Sequence, residues 1–232
     1  MTVIVTLATS WLIFRRGWNK VLPIFSSYVV FYWLSIALMW PLTFWNRYPP
    51  EMQRTICLIY AKGAYALSLV GLVLVVGVLY ELSRYTFRNQ STIQPRWMGI
   101  CGVTGVIAAL AMGLVGTFTS MRNPDRSLFE NFAYPTIKSG SLIVAVLLVV
   151  LIVGEKKFAL PWGRSVSLIV AGLSIVYGVE IAASIVEYKL GGHMPGPDVT
   201  VQIAGLICPI LWLLAVRMPP DHISAVGVNP AN

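Results

Sequence analysis

Charge is what this chain has least of. Lysine, arginine, aspartate and glutamate make up 11% of its 232 residues, and only nine of them are acidic. A typical water-soluble domain is about 25% charged. With 57% hydrophobic residues and a mean hydropathy of +0.75, the chain carries more apolar surface than a water-soluble core of its size can hide. Lipid is the solvent it fits. Other scarcities narrow the chemistry. There are two histidines, His193 in a loop and His222 near the end, which argues against a bis-histidine haem among the apolar segments. Three cysteines, Cys57, Cys101 and Cys208, include no CxxC pair. They speak against a disulfide framework, and a thiol inside an apolar segment acts as a small hydrophobe. No HExxH, no G-x-S-x-G and no cluster of metal-ligand residues is present. The last apolar stretch contains no lysine, which excludes a retinal Schiff base there. The expectation is a protein with no cofactor, no metal and no enzymatic activity.

What the chain does have is seven apolar stretches, near 2–14, 22–45, 58–80, 98–119, 134–153, 165–187 and 199–216. A helix needs about 20 apolar residues to cross the hydrocarbon core. The fold class expected is therefore all-α, a polytopic seven-transmembrane-helix bundle over residues 1–217. A short polar tail over 218–232, with Pro219 and Pro220, is expected to be disordered. The first stretch, Thr2 to Phe14, is short for a span. A tilted first helix, a half-inserted helix and a start set too late all account for it, and a true first helix is the reading preferred. No basic residue precedes it, which argues against a secretory signal.

Basic residues give the orientation. The first loop has Arg15, Arg16 and Lys20, the third Arg84, Arg88 and Arg96, and the fifth Lys156, Lys157 and Arg164. Arg217 ends the last stretch. The second loop has Arg47 and Arg54 beside Glu51, the fourth Arg122 and Arg126 beside Asp125 and Glu130, and the sixth Lys189 near Asp198. The excess of lysine and arginine makes loops one, three and five cytoplasmic, with the N-terminus outside and the C-terminus inside. The net charge of +8 is thus read as contact with anionic headgroups. No basic run or aromatic platform suggests nucleic acid. Trp11, Trp18, Trp40, Trp45, Tyr48, Trp97, Trp162 and Trp212 lie near the ends of the stretches, where amphipathic rings settle at the headgroups. The prolines at 49–50, 95, 124, 161, 195 and 197 punctuate the loops. No internal repeat is evident, which weakens a carrier built from inverted halves.

Small residues recur every fourth position in two stretches: Cys101, Gly105, Ala109, Gly113 and Thr117, and then Ser174, Gly178 and Ala182. Such ridges let helix backbones approach closely, within one bundle or between copies or partners. The fifth stretch from Leu142 to Val153 is apolar all round and is expected to face lipid over much of its surface.

Glu180 is the costliest residue. It lies about 10 Å deep if the stretch is helical, where a charge costs about 2.5–3.5 kcal/mol on insertion scales. It must be paired, protonated or turned to a cavity. Tyr177 and Ser184, with Val176 and Ala183, are its helical neighbours. Lys62 and Lys138 enter their stretches from the same side and are candidate partners. They form with Glu180 a ligand or ion site, or Glu180 holds a buried ion pair or hydrogen bond that fixes packing while the lysines snorkel outward, or it transfers a proton. Tyr80, Glu81 and Arg84 end the third stretch. Glu81 and Arg84 share a face at three apart and are expected to form a salt bridge, with a cytoplasmic latch as the alternative.

Arg15-Arg16 followed by Pro23-Ile24-Phe25 and Tyr28, Tyr80-Glu81, Trp162-x-Arg164, Gly172 and Gly178 with Glu180, and Trp212 together resemble a group of uncharacterised seven-helix integral membrane proteins abundant in acidobacteria. The resemblance implies a seven-helix membrane protein and no known activity. The group's first helix is longer, which favours a late start here. The function expected is that of a non-enzymatic protein of the inner (plasma) membrane. It would be a sensor-like or accessory subunit that binds a small ligand or a membrane partner. The alternatives are an ion-coupled secondary transporter using Glu180 and a structural subunit of a larger complex. The lipid bilayer is the partner expected, and the small-residue ridges offer contacts for a homo-oligomer or another subunit.

Overall fold

In lipid every backbone N–H and C=O must find its partner within the protein, and an apolar segment does so by becoming a helix. The computed structural model describes residues 2–44, 47–86, 96–120, 128–157, 163–190 and 195–218. Among these residues every regular element is helical: α1 (Thr2–Arg15), α2 (Trp18–Val21), α3 (Pro23–Thr43), α4 (Pro50–Thr86), α5 (Arg96–Ser120), α6 (Leu128–Lys157), α7 (Arg164–Leu190) and α8 (Pro195–Arg217). Five carry segments long and apolar enough to cross a membrane: Pro23–Thr43, Pro50–Thr86, Gly99–Phe118, Leu128–Lys156 and Arg164–Val186. The apolar segments Ile4–Arg15 and Ala204–Arg217 are shorter. This is the composition of a multi-pass membrane protein. Trp45, Arg88, Arg122, Arg126, Trp162, His193, His222 and the tail from 219 lie outside the described residues.

The helices run past the apolar stretches where proline permits. Pro50 opens α4 and Pro195 opens α8. A missing N–H costs nothing in a first turn, whose donors have no intrahelical acceptor. Glu51 and Arg54, which the sequence suggests as loop residues, therefore belong to α4, and Glu130 lies in the first turn of α6. Acidic residues in a first turn oppose the positive end of the helix dipole. Pro195, Gly196 and Pro197 start α8 rather than breaking the chain before it.

Six helices close into a ring. α3 packs on α4, α4 on α6, α6 on α7, α7 on α8, α8 on α1, and α1 back on α3; α5 lies outside, against α6 and α4. One half of the ring is filled. Phe25 and Val29 from α3, Val78 and Leu82 from α4, Leu148 and Leu151 from α6, Ile169 and Leu173 from α7, and Trp212 and Ala215 from α8 form its buried core. Two contacts tie helix ends together at that half. The Arg16 guanidinium donates to the carbonyl oxygen of Arg217, joining the ends of α1 and α8. The carboxylate of Glu81, only 9% exposed, accepts the backbone N–H of Ile24 at 2.9 Å and that of Phe25 at 2.8 Å.

The Glu81 contact corrects the expected pairing with Arg84. Leu22 precedes α3 without a side-chain cap, and Pro23 occupies the first turn. The next two N–H groups would be buried without acceptors. Glu81 reaches across from α4 and caps them, while Arg84 stays exposed. Tyr80 does not join them. Its ring packs toward α5, so that a Cβ at Gly99 would stand 3.1 Å from Tyr80 Cε2.

The α5 ridge packs within the bundle. Ala109 is buried, a Cβ at Gly105 would meet Ile143, and one at Gly113 would stand 2.8 Å from the Phe132 carbonyl oxygen of α6. Cys101 is exposed at the end of that row. On α7, by contrast, nothing lies within 4 Å of a Cβ placed on Gly178, and Ala182 is exposed. α6 is less lipid-exposed than its composition suggests: Leu142, Val146, Val149, Val150 and Val153 face outward, whereas Val144, Leu147, Leu148 and Leu151 are buried. Trp11 and Trp40 are exposed as interfacial rings should be. Trp18 and Trp212 are instead buried to 2% and 1% exposure, because the bundle closes over them.

Candidate functional site

The other half of the ring is not filled. A cavity of about 240 Å³ opens there, lined from α3 by Tyr28, Phe31, Tyr32 and Ser35, from α4 by Leu67, Ser68, Gly71 and Leu72, from α6 by Ile137 and Ser141, and from α7 by Tyr177 and Glu180. Two of its lining rings, Tyr28 and Tyr32, rest on an aromatic floor behind them. Trp212 of α8 stands edge-on to Phe25, Tyr28 and Tyr32, with ring centroids 5.8, 5.5 and 5.9 Å away. Such edge contacts fix ring orientation as well as burying area.

Local sequence explains the floor. Pro209 lies inside α8 and has no N–H for the carbonyl four residues back, that of Gly205. The Tyr32 hydroxyl donates to that carbonyl at 3.4 Å. Gly172 of α7 lets Trp212 approach: a Cβ there would stand 2.9 Å from the indole nitrogen.

Glu180 sits in the cavity wall. Ser141 Oγ donates to its Oε1 at 2.9 Å across the α6–α7 contact, and among the described residues no hydrogen bond reaches Oε2. Ser184, one turn on, donates to the Glu180 backbone carbonyl at 2.8 Å and accepts a hydrogen bond from Lys138 Nζ at 2.7 Å. Lys138 also lies 5.8 Å from the centroid of the Tyr134 ring, a cation–π distance. The ammonium and the Glu180 carboxylate are each held by a serine rather than by one another. A serine-held ammonium thus stands beside a serine-held carboxylate, which is a cheaper arrangement in lipid than two isolated ions.

The pair has two faces. Ser141 and Glu180 line the inner cavity and also a lateral cleft of about 360 Å³ between α6 and α7, formed with Lys138, Leu142, Ile181, Ser184 and Ile185. Leu142 and Ile185 at its edge are exposed on the outer surface of the bundle. Lys138 and Ser184 line the cleft and not the cavity. The hydrogen-bonded Ser141 and Glu180 form the partition between them.

Four of the five candidates from the sequence meet here: Glu180, Lys138, Ser184 and Tyr177. Lys62 does not. It is exposed on α4 and lines neither hollow, the placement expected of a snorkelling lysine. Sequence reasoning missed Ser141, Tyr28 and Tyr32. Serines are common in apolar helices, and no spacing marks this one. Among the described residues no group of three or more His, Cys, Asp or Glu could hold a metal ion. The cysteines are unpaired.

Comparison of the chain with models of known protein families, with characterised proteins and with solved structures gives no match. The geometry alone carries the functional reading.

Proposed function

We propose that the chain is a non-enzymatic, seven-span protein of the inner (plasma) membrane that binds a small ligand at Glu180. It would serve there as a sensor-like or accessory subunit. The observation that carries this reading is the Glu180 carboxylate lining a cavity bounded by four helices, with one oxygen held by Ser141 and the other without a donor among the described residues. Small-ligand sites are concave and mostly apolar, with a few convergent polar groups. The seven-helix architecture, of the kind the sequence resembles, adds α1 and α8 to the five longer spans. α8 has 23 residues, which reach about 35 Å at 1.5 Å each, more than the hydrocarbon thickness of about 30 Å.

The orientation, N-terminus outside and C-terminus cytoplasmic, draws support from the tied helix ends. Arg15, Arg16, Lys20, Arg84 and Arg217 belong to the helix ends that the Arg16 and Glu81 contacts bring together. A basic face of this kind is the cytoplasmic one. The cavity then lies in the outer half. Reporter fusions placed in the sequence between α4 and α5 and between α7 and α8 test this: the first is expected inside and the second outside, and the reverse result overturns the orientation.

A second reading, an ion-coupled carrier, is favoured by the partition itself, because the same Ser141–Glu180 pair faces both a cavity and a cleft. A third, a structural subunit, is favoured by the uncovered small residues Gly178 and Ala182 on α7. Native mass spectrometry of the protein released from nanodiscs separates them. The ligand-binding reading expects a retained small molecule that Glu180→Gln loses. A stoichiometric protein partner, retained by both forms with no small molecule, would count for the structural subunit. A carrier is expected to show ion-dependent flux in proteoliposomes, abolished by Glu180→Gln.

A further inference from the structure

We infer that the inner cavity is a site for a small organic cation, an alkyl or aryl-alkyl ammonium. The inference rests on the ligand-binding reading above and names its ligand class. Glu180 is the one charged residue among the twelve described residues that line the cavity. Around it stand the rings of Tyr28, Phe31, Tyr32 and Tyr177, and the hydroxyls of Ser35, Ser68 and Ser141. An aromatic ring face attracts a cation, and the attraction grows when the cation is desolvated. Oε2 of Glu180, without a donor among the described residues, offers a charge-assisted acceptor for an ammonium N–H.

The same walls disfavour other ligands. An anion would meet the carboxylate. A hard divalent ion needs six or more oxygen ligands, usually several of them charged, and the lining has a single carboxylate. A volume of about 240 Å³ is below the roughly 300–1,000 Å³ of sites for drug-sized molecules, so the ligand is small. Lys138 does not compete inside the cavity. Its ammonium is turned to the lateral cleft and held by Ser184. It still shares the field of Glu180, so its charge weakens the site for a second cation.

The test is calorimetric binding to the nanodisc-embedded protein. The probes are phenethylammonium, its neutral isostere phenethyl alcohol and the anion phenylacetate. Saturable binding of the ammonium is expected, with the alcohol and the anion weaker by roughly tenfold to a hundredfold, the worth of one charge-assisted contact. Glu180→Gln, which keeps the acceptor for Ser141, is expected to bring the ammonium down to the affinity of the alcohol. Lys138→Gln is expected to tighten it. A thermal unfolding curve for each variant separates lost binding from lost fold. Equal binding of ammonium and alcohol, with Glu180→Gln silent, overturns the charge inference but leaves a ligand cavity standing. Absence of saturable binding by all three probes overturns the inference and counts against the ligand-binding reading as well.

Discussion

Replacing Glu81 by alanine removes the acceptor for one buried and one part-buried donor at the start of α3. The N–H groups of Ile24 and Phe25 lie 2.9 and 2.8 Å from its two oxygens. Pro23 and Leu22 offer no substitute, since the helix start has no side-chain cap of its own. Hydrogen bonds to a charged group contribute about 1.5–3 kcal/mol each, which sets a ceiling of about 6 kcal/mol for the pair. Polar contacts between membrane helices average about 0.6 kcal/mol, which sets a floor near 1. Because the Phe25 donor is left buried and the Ile24 donor partly so, a loss of about 2–4 kcal/mol is expected. Glu81→Gln keeps one carbonyl acceptor and is expected to lose about half as much. The assay is reversible unfolding in mixed micelles under a denaturing-detergent titration. Amide exchange at Ile24 and Phe25 is followed alongside and is expected to quicken in the alanine variant. The alternative arrangement, Glu81 paired with Arg84 on one helix face, predicts that Arg84→Gln costs as much as Glu81→Ala. That result, or an alanine variant within about 0.5 kcal/mol of the parent, the size of an ordinary surface substitution, would refute the capping account.

Other expected outcomes follow from the same packing. Gly113→Ala drives a methyl group into the Phe132 carbonyl and the Thr136 side chain of α6, and should lower stability by about 1–3 kcal/mol in the same titration. Gly172→Ala presses on Trp212 and should shift its fluorescence, because the indole is locked against three rings. Tyr32→Phe leaves the Gly205 carbonyl without its donor, at a cost of about 1 kcal/mol, and should quicken amide exchange around Pro209. Lys62→Gln, on an exposed face, should leave stability and probe binding unchanged; a loss of binding would bring Lys62 back into the site.

Much of the helical layout was legible because hydrophobic run length is a physical requirement of the bilayer rather than a statistical preference. Helix ends were less legible. The prolines at 50 and 195 look like loop punctuation and in fact occupy first turns, where a missing donor is harmless. Glu180 stood out because a carboxylate is costly among apolar residues, and Lys138 and Ser184 could be proposed beside it from side and spacing. Ser141, which holds the carboxylate, gave no signal, because its role exists only once α6 meets α7. Glu81 shows the same limit in reverse. Its neighbour in sequence, Arg84, suggested a local pair, while its partners lie more than fifty residues away on α3. The α5 ridge and the α7 ridge read alike as sequence, yet one is packed on α6 and the other, covered at Ser174, is uncovered at Gly178 and Ala182. Spacing tells which residues share a face and not which face a neighbour covers.

The most direct test of the account is an infrared difference spectrum of the nanodisc-embedded protein, taken with and without phenethylammonium, for the parent and for Glu180→Gln. The account predicts that the probe perturbs a carboxyl band in the parent and that this change is missing from the glutamine variant. Identical difference spectra from the two proteins would contradict it, since the bound ligand would then not touch Glu180.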